Sequence, residues 1–166
     1  MSAFYLSLFL FLTSGICAQE IQRVSKSPTI DSIYAQAIQM AYQERFTEAL
    51  HLFDQVIALD PEVAQIYLDR GIIRTHLGDL KGATADYTHQ LTFTPKEADV
   101  YFLRGEIYLS QKDFKNAYLD LKRANKLDKG NADAYCHCAE VANALNKTHV
   151  AKRKARACTR LTNLSN

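Results

Sequence analysis

A 34-residue period runs through this chain and constrains its fold more than any other feature. The units begin near Ile30, Ala64, Ala98 and Ala132. One column of small residues reads Ala37, Gly71, Gly105 and Ala139, and a second reads Ala49, Ala83, Ala117 and Ala151. A third position closes the units with Asp60-Pro61, Thr94-Pro95 and Asp128-Lys129. Repetition at this interval predicts a linear stack of small units, each burying its apolar face on the next, rather than a closed globule. Composition agrees with a folded stack. Of the 166 residues 48% are hydrophobic and 23% charged, with 6 Gly and 3 Pro, which excludes disordered, collagen-like and low-complexity chains.

Each unit holds two apolar-periodic stretches parted by a turn. In the second unit Ile66, Tyr67, Arg70, Gly71 and Arg74 mark one stretch, and Leu80, Ala83, Tyr87 and Leu91 mark the other. Spacings of three and four residues put each set on one helical stripe. Leu77-Gly78-Asp79 separates the two, and Thr94-Pro95 ends the second, because the residue before a proline is pushed out of helical geometry. The same pattern predicts helices at 30–43 and 46–58, 64–77 and 80–92, 98–111 and 114–127, and 132–145 and 148–161. The expected fold class is all-α, a stack of four helical hairpins with repeats at 30–63, 64–97, 98–131 and 132–161.

The small columns need a physical reason. A glycine inside a helix costs roughly 1 kcal/mol relative to alanine, and Gly71 and Gly105 both fall mid-helix. Close approach of two antiparallel helices offsets that cost where no side chain intervenes. Ala37, Ala139 and the partner column Ala49, Ala83, Ala117 and Ala151 fit the same contact, flanked by Phe53, Tyr87 and Leu121 on one helix and Ile33, Tyr67, Tyr101 and Tyr135 on the other.

The pattern resembles the tetratricopeptide repeat family, whose signature is an aromatic, Leu-Gly, Tyr, then Ala, an aromatic and Pro. The second unit matches through Tyr67, Gly71, Ala83, Tyr87 and Pro95. The third matches through Tyr101, Gly105, Tyr108 and Ala117, departing at Leu121 and Lys129. The first keeps Ala37, Ala49, Phe53 and Pro61 but opens with Ile33 and Gln36. The fourth keeps Tyr135, Ala139 and Ala151 and then diverges, with Ala155 in the aromatic column. The resemblance implies a right-handed superhelical solenoid whose last hairpin is an atypical cap with one face turned to water. It also implies a non-catalytic module that binds a protein or peptide, with a structural subunit or a homo-oligomer packing through its ends as the alternative.

In that family the first helix of each hairpin lines a concave groove. Carried over by column, the groove residues are Asp31, Tyr34, Ile38 and Tyr42; Leu68, Asp69, Ile72 and His76; Asp99, Phe102, Glu106 and Leu109; and Asp133, Cys136, His137 and Glu140. This apolar stripe edged with carboxylates suits an amphipathic segment with some positive charge. One subclass clamps a C-terminal carboxylate with Lys, Arg and Asn. Here the matching columns offer Tyr34, Ile38, Asp69, Asp99 and Leu103, which cannot hold an anion.

No phosphate loop, nucleophile elbow or paired histidines occur in the sequence, so no enzyme, cofactor or metal is expected. Cys136-His137-Cys138 is not a metal motif, because consecutive helical residues do not converge on one ion. The columns place Cys138 in the core and Cys158 on the inward face of the last helix. That makes Cys138–Cys158 the expected disulfide, with two buried thiols as the alternative, and leaves Cys136 facing the groove.

The first residues read as a targeting segment. Leu6 to Leu12 is apolar apart from Ser7, Thr13-Ser14-Gly15 breaks the run, and Ile16-Cys17-Ala18 offers cleavage after Ala18. The expected organisation is a signal peptide at 1–18, a linker at 19–29 and the solenoid at 30–162, exported to a periplasmic or secreted location. A lipoprotein acylated at Cys17 is the lesser alternative, since Ile16 is not the small residue such cleavage prefers. No other stretch is long and apolar enough to span a bilayer. Residues 147–160 carry Lys147, Lys152, Arg153, Lys154, Arg156 and Arg160 and no acid. They read as a solvated cap with an electrostatic docking patch second, and no nucleic-acid partner is expected of an exported chain. Asn146-Lys147-Thr148 and Asn163-Leu164-Ser165 are glycosylation sequons.

Overall fold

The structure, a computed structural model, describes residues 29–164. The expected signal peptide and nearly all of the expected linker lie outside these residues. Among the described residues eight helices run in order: α1 Ile30–Tyr42, α2 Phe46–Leu59, α3 Ala64–His76, α4 Leu80–Phe93, α5 Ala98–Ser110, α6 Phe114–Leu127, α7 Ala132–Ala144 and α8 Thr148–Thr162. Each predicted boundary falls within one residue of the observed one, and no strand forms among the described residues.

Local chemistry sets the ends. Thr29, Asp79, Asp113 and Asn131 cap α1, α4, α6 and α7 by accepting from the backbone N–H three residues on, which satisfies one of the amides a helix start leaves open. The turn inside each hairpin passes through the left-handed region at Glu44 (φ 58°), Gly78 (78°), Lys112 (59°) and Asn146 (57°), again one repeat apart. Only the second unit answers that demand with glycine. At the turns between hairpins the first-helix aromatics reach back to the chain before them. The Tyr67 hydroxyl donates to the Pro61 carbonyl at 2.9 Å, and the Tyr101 hydroxyl to that of Pro95 at 3.4 Å.

Helices pack on their neighbours in sequence, as a one-dimensional stack requires. The core is a strip of three clusters. Ile33, Ala37, Ala49, Phe53, Val56, Ile66 and Ile73 join the first two hairpins. Ala83, Tyr87, Leu91, Val100 and Ile107 join the second and third, and Ala117, Leu121, Cys138 and Val141 join the last two. The small columns lie in this strip: Ala37, Ala49, Ala83 and Ala117 are fully buried, Gly71 and Gly105 are buried, and Ala151 is 8% exposed. Packing loosens at the end. Ala139 is only half-buried, because its opposite number Ala155 is small and exposed where the earlier units set Phe53, Tyr87 and Leu121.

A polar seam runs beside the core. The Arg70 guanidinium grips Asp86 through two hydrogen bonds of 3.0 and 2.6 Å and reaches Asp54 at 2.6 Å, and Arg74 adds a third bond to Asp86 at 2.8 Å. One unit on, Arg104 grips Asp120 through bonds of 2.7 and 3.0 Å and reaches Thr88 at 2.9 Å. Burial alone would lower the pKa of Arg70, but its bonds to Asp86 and Asp54 outweigh this and raise it; Asp120 does the same for Arg104. These bidentate pairs tie α3 to α4 and α5 to α6, and extend each hairpin to its predecessor.

Two expectations are corrected in the last hairpin. The disulfide joins Cys136 to Cys158, with Cα atoms 5.1 Å apart, and Cys138 is a buried free thiol. A shift of two residues turns a helical side chain by more than half a revolution. Cys138 therefore packs against Ala117 and Leu121 of α6, away from Cys158. Cys136 occupies the column of Tyr34, Leu68 and Phe102, all of which are half-buried against core clusters, so that column borders the core rather than standing free in a groove. The second correction concerns Lys154. It is not a solvated cap residue but is half-buried, with its ammonium 4.5 Å from the centre of the Tyr135 ring.

Candidate functional site: an apolar cleft on the first two hairpins

A cleft of about 390 Å³ opens between α1 and α3, lined by Ile38, Ala41, Tyr42, Glu44, Phe46, Phe53, Asp69, Ile72, Ile73 and His76. Five of the expected groove residues meet here: Ile38, Tyr42, Asp69, Ile72 and His76. They converge because positions three or four apart on α1 and on α3 share a helix face, and consecutive hairpins set those faces side by side. Tyr42 is 87% exposed at the end of α1, a large aromatic left in solvent. His76 stacks on Phe46, with ring centres 5.6 Å apart and planes 10° from parallel.

The expected groove residues outside this cleft have other surroundings. Tyr34 packs on Phe53, and its hydroxyl donates to Asp69, bracing α1 against α3. Burial, with the Asp69 hydrogen bond and charge added, pushes the Tyr34 phenol well above its ordinary pKa. Leu68 packs against the middle core cluster, and Phe102 and Leu109 against the last one. Phe102 stacks face to face with His137 at 5.7 Å, and Glu106 lies 3.6 Å from the His137 Nδ1 atom. Asp31, Asp99, Asp133 and Glu140 are exposed, and Cys136 is consumed by its disulfide.

Column reasoning missed Ala41, Glu44, Phe46, Phe53 and Ile73. It took lining residues only from the face of each first helix, whereas the cleft also exposes the start of α2. Phe46 was the available signal, an aromatic at the first position of a second helix that is half-buried rather than sealed in the core.

Asp69 is the electrostatic centre of the cleft. Burial raises its pKa, and hydrogen bonds from Tyr34 and from the Gln65 amide at 3.2 Å offset that in part. Glu106 is likewise raised by burial, with Asp133 adding to the shift and His137 opposing it. Both carboxylates would be favoured by a cation brought into the groove. Among the described residues no three His, Cys, Asp or Glu side chains are grouped as metal ligands, and no helix is long and apolar enough to cross a membrane.

The fold and this surface define an all-helical repeat scaffold of the kind that mediates protein–protein interaction. Sequence profiles described as tetratricopeptide repeat match residues 36–104 and 98–131. They span more than half of the chain, which belongs to the tetratricopeptide repeat family. Among solved structures it is similar to "MamA RS-1 ArsTM double mutant", with a TM-score of 0.79 at 16% identity over 89% of this chain and 83% of that one. It is also similar to "MamA 41-end from Desulfovibrio magneticus RS-1", with a TM-score of 0.72 at 18% identity over 84% and 77%. At such identities the likeness is one of fold. Curated relatives include a DnaJ homolog subfamily C member 7 homolog of Dictyostelium discoideum, 24% identical over 54% of this chain and 17% of the relative. Another is tetratricopeptide repeat protein 6 of Homo sapiens, 28% identical over 55% and 19%. The chain thus spans about a fifth of the length of these relatives.

Proposed function

We infer that the array is a non-catalytic scaffold that seats a peptide or partner segment in the cleft between α1 and α3, the segment carrying apolar side chains and a cation. The observation that carries this reading is the cleft itself: about 390 Å³ walled by Ile38, Phe46, Phe53, Ile72 and Ile73, with one half-buried carboxylate, Asp69. Apolar walls supply binding free energy as they lose water, and Asp69 supplies orientation by favouring a Lys or Arg. Further along the array Asp99, Glu106, Asp133 and Glu140 extend the same charge preference.

A displayed peptide library selected on the folded protein tests this. Selected peptides are expected to combine aromatic or aliphatic residues with Lys or Arg, and to lose binding to a Tyr42→Ala/Ile72→Ala variant of unchanged helicity. Recovery of acidic peptides only, or unchanged binding by that variant, refutes the reading. Light scattering addresses the alternative of assembly through the terminal hairpins: a monomer supports the open cleft, and an obligate oligomer buried through α1 and α3 overturns it.

We further propose that the protein is exported, with 1–18 as leader and 19–29 as linker. The apolar run from Leu6 to Leu12 supports this, and so does a disulfide, since such bonds persist in oxidising compartments. Fractionation of the tagged full chain checks it, and retention in a reducing cytosol with free Cys136 and Cys158 counts against it.

A further inference from the structure

A second cleft, of about 410 Å³, lies between the outer helices α6 and α8. Five cations line it: Lys122, Arg123, Lys126, Arg153 and Lys154. None of the five has a carboxylate partner among the described residues. The repeat supplies its own control. The corresponding cleft one unit earlier, beside α4, presents Thr88, His89 and Thr92 where this one presents Lys122, Arg123 and Lys126.

The reversal of charge is sharpest in the polar seam. Asp86 and Asp120 hold the arginines of their units, and the next residue in that column is Lys154. Asp54 helps to hold Arg70, and two units on its column holds Lys122. The arginine column itself becomes Cys138. Cations therefore stand where the fold elsewhere sets acids, facing one another without neutralisation. Burial, Arg153 and Lys122 together press the Lys154 pKa downward, with only Cys138 opposing.

We propose that the α6–α8 cleft is a second binding surface, which takes an acidic peptide segment of a partner protein. Carboxylates entering it remove like-charge repulsion that the chain leaves unrelieved. Leu119, 61% exposed on the rim, gives an apolar side chain of the same segment a place to rest. Single-stranded nucleic acid fits less well, because the nearby rings already carry cations. Lys147 covers one face of Tyr118 at 3.9 Å and Lys154 one face of Tyr135 at 4.5 Å, so a base stacking there would compete with a lysine already in place. A concave cleft is also a poor match to a flat anionic bilayer.

The probe is a fluorescent peptide of alternating Glu and Leu, with a Lys/Leu peptide, oligo(dT) and phosphatidylserine vesicles alongside. The folded protein is expected to bind the Glu/Leu peptide and to lose it as salt is added. A variant carrying Lys122→Thr, Arg123→His and Lys126→Thr transplants the earlier cleft, and its affinity is expected to fall about tenfold or more. The Tyr42→Ala/Ile72→Ala variant is expected to bind the Glu/Leu peptide as the parent does, which separates this surface from the α1–α3 cleft. The single variant Lys122→Gln, with a smaller loss, serves if the triple variant is unstable. Equal binding by the transplant, no preference for Glu/Leu over Lys/Leu in the Tyr42→Ala/Ile72→Ala variant, or capture of oligo(dT) or vesicles in place of the peptide overturns the proposal.

Discussion

Replacing Gly71 with alanine separates the two claims on which the packing argument rests. Helix propensity alone favours the change by about 1 kcal/mol. The structure opposes it, because a Cβ at position 71 would sit 2.6 Å from Cε1 and 2.9 Å from Cδ1 of Tyr87, whereas carbons are at ease near 3.5–4.0 Å. Tyr87 has nowhere to retreat. It is 1% exposed, clustered with Ala83, Leu91, Val100 and Ile107, and its hydroxyl lies 3.3 Å from that of Thr75. Overpacking costs roughly 1–3 kcal/mol, and a sealed ring met at 2.6 Å belongs in the upper part of that range, about 2–3 kcal/mol, so Gly71→Ala is expected to destabilise by about 1–2 kcal/mol net of the propensity gain. Gly105 holds the same column one unit on, but its Cβ would meet Leu121 at 3.0 and 3.2 Å, an aliphatic side chain that can give by a few tenths of an ångström. There the two effects nearly cancel. Thermal unfolding followed by circular dichroism should place Gly71→Ala roughly 3–6 °C below Gly105→Ala. Replacing Tyr87 by Leu in the Gly71→Ala background, which recreates the pairing that the Gly105→Ala variant makes with Leu121, should narrow the gap. Equal midpoints, or Gly105→Ala the lower, would refute the assignment of close approach to Gly71.

Asp86→Ala leaves Arg70 only the carboxylate of Asp54 and Arg74 only that of Asp79, and the loss of these charge-assisted hydrogen bonds should cost about 1.5–3 kcal/mol in urea unfolding; a loss no larger than that of a surface carboxylate would remove the seam from the account. Lys112→Gly relieves a left-handed backbone at φ 59° and should stabilise by about 1 kcal/mol, while Gly78→Ala, which meets open space but keeps φ 78°, should lose a similar amount. Cys138→Ala should leave the disulfide intact and no thiol reactive after denaturation of residues 29–164; Cys136→Ser should cost about 3 kcal/mol, from a closure spanning 22 residues. A free thiol in the first variant would restore the pairing with Cys138. The raised pKa of Asp69 sets a sign for pH: its ionised form is penalised in the folded state, so the penalty is full above the folded pKa and relieved as pH falls through it toward the ordinary aspartate value. Any stability advantage of Asp69→Asn at neutral pH should therefore shrink on acidification, and an advantage that widens would contradict the burial argument.

The helices were legible because their signals are local. Gly78, Pro61, Pro95 and the apolar periods depend only on backbone geometry and spacing, and they place every boundary within one residue. The column method failed where equivalence in sequence stops being equivalence in surroundings. Cys136 aligns with Leu68 and Phe102, yet Ala155 leaves room beside α7, so α8 closes on a different residue. Lys154 looked like solvent-facing charge, but the nearby Tyr135 ring draws it inward. Other features were present in the sequence and went unread. Arg70 and Arg104 recur at the repeat interval, as do Asp86 and Asp120, and the 16-residue step from each arginine to its aspartate joins the two helices of one hairpin. The left-handed column was visible only through Gly78 and, more weakly, Asn146, because Glu44 and Lys112 give no compositional hint of it.

A stack built from nearest-neighbour contacts permits what a closed globule resists, the reassignment of one unit's polar residues without disturbing the rest. In the middle of this array the seam columns are neutralised internally: arginine meets aspartate, and both lose water together. In α6 and α8 the acids of those columns give way to Lys122 and Lys154, while a disulfide holds α7 to α8. The covalent bond keeps α8 on α7 where like-charge repulsion across the α6–α8 cleft would otherwise lift it away, so that repulsion acts in full only once the bond is cut. On this reasoning the disulfide and the unpaired cations are coupled. Reduction should destabilise the parent more than the variant in which Lys122, Arg123 and Lys126 become Thr, His and Thr, and the difference should shrink in high salt, where the repulsion is screened. Equal losses on reduction at all salt concentrations would show that bridge and charge cluster are independent.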